Sequence, residues 1–527
     1  MPADTRNAYA PSTMTTSRFR KLLSGLSLFI LLLHSPAMVV PLVEAGEANQ
    51  ESPGATAPQL GNGMRNGWAD QHSIVIWTRT TARAEMVQDG PEFTTIDREQ
   101  EREWQNTLSE EQLLEVQLPQ GVRLEQMKGA CPGAPGEVRL TYFPAGDESS
   151  KRTTDWTVTH SSRDYSCQWK LERLKPGTTY NACIEARSIG ESEVNAVLRG
   201  AFQTAPEPDR PSPQCFCMTT CHDYIRRDDE LGHRIYQAMT SLKPDWVIHA
   251  GDVEYYDKPK PFAWTVELMR FKWARLFALP RLREFYCNHT TYFMKDDHDT
   301  LKNDCWNGQK YGVVTFEQGV RLFNTEQFPS RSPRYADVQW GKDIQFWILE
   351  GRDYRSPNTM NDGPEKTILG EEQKAWLIKS VRASTATFKL VFSPTPLVGP
   401  DRAKKSDNHS NATFEYEGMQ LREALSGIKG LIVFCGDRHW QYASVDSGTG
   451  LWEFGCGPGS ERHELGWREG DIRPEHKFLR VQGGFLSGRL SYGVKDGNPS
   501  LSIRHHTVDG EEVSRFEFGA NGKLLLE

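Results

Sequence analysis

The sequence predicts an α/β domain preceded by an all-β sandwich, and three observations predict it. From about residue 61 to 204, short runs rich in β-branched and aromatic residues show partial apolar–polar alternation, the pattern of half-buried strands. From residue 214 onward, short apolar runs alternate with helix-like stretches, as in an α/β domain. Between them, "TAPEPDRPSP" (204–213) is proline-rich and reads as a linker over 205–213. A chain of 527 residues is long enough for both parts and a large core.

Taken in order, the chain opens on a targeting pattern. Arg18, Arg20 and Lys21 precede an apolar stretch from Leu22 to Leu33, and small residues follow at Ala37 and Ala45. This is the layout of a secretory signal, expected over 1–45. The stretch is short of the roughly 20 apolar residues a membrane span needs. An exported chain, periplasmic or extracellular, with no stable span after signal cleavage is the expectation. The formal charge of -8 gives no indication of a nucleic-acid partner. The ten cysteines are spread along the chain without a CxxC pair, and Cys215 and Cys217 alternate along an apolar strand, which reads as core packing.

The strands expected in the first domain (61–204) are "SIVIWTRTT" (73–81), "EVRLTYFP" (137–144), "DWTVTH" (155–160) and "YNACIEARS" (180–188). A charged segment, "REQEREWQNTLSEEQLLEVQ" (98–117), reads as a helical insertion. "WKLERLKPGTTYNACIEA" (169–186) resembles the late strands of a fibronectin type III sandwich: inward Trp and Leu, a Pro-Gly turn, then a Tyr. In the second domain (214–520), helices are expected at "DDELGHRIYQAMTSL" (228–242), "TVELMRFKWARLFALP" (265–280) and "EEQKAWLIKSVRAS" (371–384). A terminal hairpin is expected to turn at Asp509-Gly510.

Each apolar run of the second domain ends in chemistry. "QCFCMTTCHDY" ends at Cys221. "DWVIHAGDVEYYD" delivers Asp252 and Tyr255. "FMKDDHDTLKND" (293–304) delivers Asp296, Asp297, His298 and Asp299. "IQFWILEGRDYR" delivers Arg352 and Arg355, and "LIVFCGDRHW" delivers Asp437, Arg438 and His439. One acidic turn is ordinarily a solvated loop. Ligand-type residues at five strand ends point instead to one site, because open α/β sheets bind ligands beyond the carboxyl ends of their strands. Crowded carboxylates repel one another unless a cation or proton neutralises them, so the expected occupant is a metal.

These motifs resemble the metallophosphoesterase superfamily, and within it the alkaline phosphatase D family. "TTC", "GDVEY", "DDHD", "SPTP" and "GDRH" stand at the places of the superfamily's successive strand-end motifs, and "PTPLVGPDR", "KSDNHSN" and "CGDRHWQY" also look like this family. The resemblance covers roughly 60–520. It implies a layered β-sheet core flanked by helices behind the sandwich, and hydrolysis of a small-molecule phosphate ester. Carried across residue by residue, it implies Cys221, Tyr255 and His439 on a first metal, Asp252 bridging two metals, and Asp297 and Asp437 on the second. No histidine occupies the "SPTP" motif, and Asn303 or Asp304 is the stand-in considered. His409 reads as a surface or loop residue.

The implied mechanism is attack by metal-activated water. His298 is the expected general acid for the leaving alkoxide, with Asp299 orienting its ring. Arg438, with Arg352 or Arg355, is expected on the non-bridging oxygens. Three anionic donors at the first site suit iron(III), and the all-oxygen second site suits calcium. The competing reading is an extracellular binding protein with a degenerate phosphatase-like domain.

Overall fold

The computed structural model describes residues 57–526, so the expected signal segment (1–45) lies outside the described residues. Residues 64–203 form two antiparallel sheets. One holds Met64–Gly67, Ile74–Arg79 and Ser166–Leu171. The other is centred on Gly136–Pro144, which pairs with Arg152–Thr153, Thr157–Thr159 and Thr179–Arg187; Ala196–Gln203 completes it. Burial alternates strictly along Gly136–Pro144, so Val138 and Leu140 enter one core with Ile74 and Ile76 of the other sheet. The Tyr180 hydroxyl accepts a hydrogen bond from the Lys175 amide at 2.7 Å, closing the corner before its strand.

The charged insertion is helical. Arg98–Thr107 is capped by Asp97, whose side chain accepts from two backbone amides, and Glu110–Glu115 is capped by Ser109. Capping side chains satisfy amides that the first turn leaves unpaired, which is why such polar segments hold as helices.

Beyond residue 213 two seven-stranded sheets face each other. In the first, Thr291–Met294, Trp246–Ala250 and Gln214–Thr219 run parallel, followed by the antiparallel strands Phe485–Tyr492, Pro499–His506, Glu512–Gly519 and Leu524–Leu526. The second is built on the parallel strands Ile344–Ile348, Phe388–Ser393, Leu431–Cys435 and Trp452–Cys456. Aromatic rings join the two layers. Phe216 stacks on Trp246 at 4.5 Å between centroids and meets Phe392 and Phe434 edge-on, while Trp246 stacks on Phe346 at 4.4 Å. Gln214–Thr219 is buried along its whole length, which is what a central strand with both faces covered requires. Cys215 and Cys217 are buried free thiols within it.

The helices expected at 265–280 and 371–384 form as Val266–Phe277 and Gly370–Ala383. The one expected over 228–242 is confined to Ile235–Ser241. Gly232 takes φ +110°, outside the helical range, and the Asp228 side chain accepts from the Arg234 amide in place of a helical carbonyl. The terminal hairpin pairs Pro499–His506 with Glu512–Gly519 around Asp509-Gly510. The proline-rich connection is held rather than loose: Arg210 and Pro206 carbonyls accept from Lys342 and Gly341 amides. Arg65 adds a bond across the two parts, its guanidinium lying 3.5 Å from the Trp77 ring centroid and 3.8 Å from that of Phe277.

Candidate metal centre

Three parallel strands end in the same backbone device. Two residues beyond Thr219, Ala250 and Cys435 stand Cys221, Asp252 and Asp437, with φ of 50°, 54° and 61°. Left-handed backbone costs a non-glycine residue about 1–2 kcal/mol. Three such residues at three adjoining strand ends mark a strained cluster, of the kind held at functional sites. Gly436 permits the approach, since a Cβ there would sit 2.3 Å from the Ala250 carbonyl oxygen.

The strained turns bring the ligand-type side chains together. Cys221 Sγ lies 3.4 Å from Asp252 Oδ2. The Tyr255 hydroxyl lies 3.0 Å from the same oxygen and 3.3 Å from His439 Nε2. Potential ligand atoms of Cys221, Asp252 and His439 all fall within 4.8 Å of one another, as do those of Asp252, Asp296 and Asp437, and those of Asp252, Asp297 and His298. Asp252 is common to all three groups. A further group joins Asp297, Asp304 and Asp407.

The electrostatics of this cluster fit a cation. Burial, then Asp297, Asp296 and Asp299, push the Asp252 carboxyl well above its ordinary range. Burial and the Asp252 charge push the Cys221 thiol and the Tyr255 phenol up. Burial pushes Asp296 up to about 7 although Arg352 pulls it down. Asp252 Oδ1 and Asp296 Oδ2 are buried without a hydrogen-bond donor. Buried acceptors that repel one another and lack donors are what a bound cation satisfies. The donor set divides: sulfur, phenol oxygen and imidazole surround one side of Asp252, and carboxylates alone the other.

His298 is fixed by a carboxylate, though not the expected one. Its Nδ1 lies 2.6 Å from Asp257 Oδ1. Burial lowers the imidazole pKa, but Asp257 and Asp297 outweigh it and hold the ring above its ordinary value. Asp299 turns away, accepting the amides of Val253, Glu254 and Asp296 at 2.7–3.0 Å. It ties the Asp252 loop to the Asp296 turn, so the expectation that Asp299 orients His298 is corrected to Asp257. The corrected residue stands inside "GDVEYYD", but nothing in that run marks the second acid as a histidine partner.

The arginines are also placed differently from expectation. Arg352 pairs with Asp296, its Nε 2.6 Å from Oδ1. Arg438 Nη1 lies 2.8 Å from both oxygens of Asp401 and its other nitrogen touches Asp437. Arg355 donates to the Asn358 side chain and the Asp407 carbonyl. All three are buried; phosphate contact by Arg352 or Arg438 would compete with a buried carboxylate, whereas Arg355 keeps Nη1 without an acceptor. Asn303 is exposed, and only its backbone amide takes part, donating to Asp257 Oδ2 at 3.0 Å. Asp304 lies with Asp297 and Asp407 and pairs with Lys405 at 2.8 Å. His409 is buried and 2.9 Å from Glu417, a structural pair rather than a surface residue. Sequence reasoning also missed His463. Its ring lies 4.2 Å from that of His439 and 5.0 Å from that of Tyr255, with Nδ1 on the Cys221 carbonyl.

The segment from Val253 to Ala263, which carries Tyr255 and Asp257, is stapled from outside. Lys272 Nζ donates to the carbonyls of Tyr255 and Lys258, and Arg275 Nη1 donates to that of Lys260 at 2.7 Å. Gln117, from the insertion, donates to the Phe262 carbonyl at 2.9 Å and accepts from its amide at 2.7 Å. The insertion thus buttresses the ligand loop from below.

The family model described as PhoD-like phosphatase matches residues 216–471. A Bacillus subtilis (strain 168) protein, alkaline phosphatase D, is 24% identical over 270 residues. The match spans 42% of this chain and 45% of that protein, less than half of its length. Among solved structures, one titled "Structure of PhoD" superposes with a TM-score of 0.64 at 16% identity, covering 91% of this chain and 94% of that one. A purple acid phosphatase from yellow lupin (Lupinus luteus) seeds superposes with a TM-score of 0.54 at 12% identity, covering 86% and 74%. At these identities the superpositions speak to fold: a metallophosphoesterase-like α/β architecture.

Proposed function

The chain belongs to the PhoD-like phosphatase family, and from that premise we propose that it is an exported, metal-dependent hydrolase of phosphate monoesters, diesters or both. The observation that carries the reading is the convergence of Cys221, Asp252 and Asp437, each on strained backbone, with His439 and the Asp296–Asp297 turn. Cys221, Tyr255, His439 and Asp252 would hold one ion. Asp252 and Asp437, with Asp297 or Asp296, would hold the other. The anionic, partly soft donors of the first set suit iron(III), and the all-oxygen second set suits calcium. Bound there, the pair would supply Lewis acidity and an activated water for in-line displacement.

The chain's own residues do the rest. The Asp257 carboxylate receives Nδ1–H of His298 and so fixes its orientation, leaving Nε2 to carry the proton passed to the leaving alkoxide. Asp299 keeps the Asp252 loop and the Asp296 turn in register through three amides. Burial of Asp252, Tyr255, Asp297 and His298 keeps bulk water from them, which strengthens the charge interactions among them. The two sheets of 64–203 are read as a fibronectin type III-like sandwich, supported by their antiparallel pairing and the Tyr180 corner. The leader over 1–45 supports export, and no helix among the described residues is long and apolar enough to cross a membrane.

The test is hydrolysis of p-nitrophenyl phosphate and bis-p-nitrophenyl phosphate by protein purified from its exported form, with elemental analysis of the same sample. Turnover with one iron and calcium per chain is the expected result. Two zinc ions in an active, colourless protein would sink the metal assignment alone. Full metal content without turnover on either ester would favour a binding protein instead.

A further inference from the structure

A cavity of about 640 Å³ lies where the segment 114–133, helix Val266–Phe277 and the turn at 161–165 of the first domain meet. None of the residues lining it belongs to the metal centre. Its size falls within the range of small-molecule pockets, roughly 300–1,000 Å³. The wall is mainly apolar: Leu114, Leu118, Val122 and Leu124 line it together with Phe271 and Ala274 of the helix. The first four are only half-buried, so an apolar occupant would complete their removal from water, which is favourable.

The buried charges on this wall are already matched. Arg79 donates from Nε, Nη1 and Nη2 to Asp164, the Asn62 side chain and the Cys131 carbonyl. Asp164 accepts from Arg79 on one carboxylate oxygen and from Gln327 on the other. A charged group entering here would be buried without a counter-ion, which is costly. The exposed ionic residues of the lining, Arg123, Glu125 and Glu267, carry both signs and favour neither. Asp164 and Tyr165 are also consecutive non-glycine residues with φ of 51° and 57°, backbone strain of the kind kept at ligand sites.

The same two elements hold the loop that carries Tyr255 and Asp257. On the helix, Phe271 and Ala274 line the cavity, while Lys272 and Arg275, one residue on from each, donate to the carbonyls of Tyr255, Lys258 and Lys260. Residues three apart share a helical face, so the helix presents one stripe to the cavity and the next to the loop. In the insertion, Leu114 and Leu118 line the cavity, and Gln117 between them holds the amide and carbonyl of Phe262. An occupant that steadies the cavity wall therefore steadies the groups that staple the loop.

We propose that this cavity is a regulatory site for an uncharged, mainly apolar small molecule, whose binding restrains the loop over 253–263. It stands apart from the metal centre and does not depend on which ester, if any, is hydrolysed there.

The probe is N-phenyl-1-naphthylamine, an uncharged apolar dye that brightens when it leaves water. Titrated into the metal-loaded full chain, it should give a saturable signal at one molecule per chain. Leu118→Trp, which fills the cavity, should abolish that signal. Val122→Asp, which sets a carboxylate on the wall, should weaken binding by at least about tenfold. Val197→Asp, at an exposed position of the first domain, should bind as the wild type does. Hydrogen exchange then reads the loop: bound probe should slow amide exchange over 253–263 by about fivefold in the wild type and have no effect in Leu118→Trp. A wild type with no saturable signal, or a signal that both Leu118→Trp and Val122→Asp retain, overturns the site. So does displacement of the dye by inorganic phosphate, which would put it at the metal centre instead. Binding that leaves exchange over 253–263 unaltered overturns the regulatory role.

Discussion

The sandwich and the metal centre use the same charged residue types to opposite ends. In the sandwich, Arg139 faces Glu185 and Glu137 faces Arg187 across one strand pair, in register. The pairs close at 2.7 and 2.8 Å, with both guanidinium groups flanking Trp156. Each of these four charges is neutralised by its cross-strand neighbour. At the centre, Asp252 faces Asp296, Asp297 and Asp299, all buried, and the imbalance stays within the protein. A sheet face made of complementary pairs is complete by itself. A pocket of like charges on strained backbone is complete only with a ligand. The difference marks which region is scaffold and which is site.

The contrast is broken most severely at its pivot. Asp252→Asn should remove the group common to both donor sets, lowering metal content and cutting kcat by at least about a hundredfold. Elemental analysis and steady-state rates check this, and a variant that keeps both ions would show that Asp252 does not bridge.

Next comes the histidine partner. Asp257→Asn should lower kcat by about 10- to 100-fold with metals retained, because the His298 ring loses its anchoring carboxylate. Asp299→Asn should act differently. It weakens three amide contacts, so its main effect is a loss of about 1–3 kcal/mol in unfolding free energy. Paired denaturant melts and kinetics separate the two. A larger kinetic loss for the Asp299 variant, with wild-type stability, would restore the sequence-based assignment.

Gln117→Leu tests whether the insertion matters to the site. The Phe262 amide and carbonyl would lose their partner inside the fold, a cost of about 1–3 kcal/mol. The loop bearing Tyr255 and Asp257 should also loosen, so that kcat falls more than KM changes. Lys272→Met should push in the same direction from the other side of that loop.

The buried Glu417 gives a pH-dependent case. Burial raises its carboxyl, but hydrogen bonds from His409 and others outweigh this and bring it down to about 2, from an ordinary 4.5. Because the folded value lies below the unfolded one, its stabilising contribution is full above about pH 4.5 and is lost as pH falls toward 2. Wild type and Glu417→Gln should therefore differ in thermal midpoint near neutrality and converge under acid. The smallest effect is expected from Arg187→Ala on the sandwich, within about 1 kcal/mol of wild type and without a change in kcat.

Much of this was legible in the amino-acid sequence, for a local reason. Apolar runs report burial, and a ligand-type residue just after such a run reports a strand end. Cys221, Asp252, Asp437 and His439 could therefore be named and grouped from their motifs. Alternation from Gly136 to Pro144 likewise fixed which side chains face inward. Where a local breaker interfered, as at Gly232, the helix was overestimated by a turn or more.

What the sequence could not decide was pairing across distance. His298 has an acid next to it in the chain at Asp299, yet its partner is Asp257, 41 residues away. The three arginines at strand ends looked free because Asp296, Asp401 and Asp407 reach them from separate segments. Periodicity says whether a side chain is buried. It says nothing of which distant charge meets it there, since that depends on loop paths and on strand order in the sheet. Sequence alone determined the layered architecture and the character of the donors. Tertiary structure decided which carboxylate orients the acid and which carboxylates the buried Arg352 and Arg438 meet.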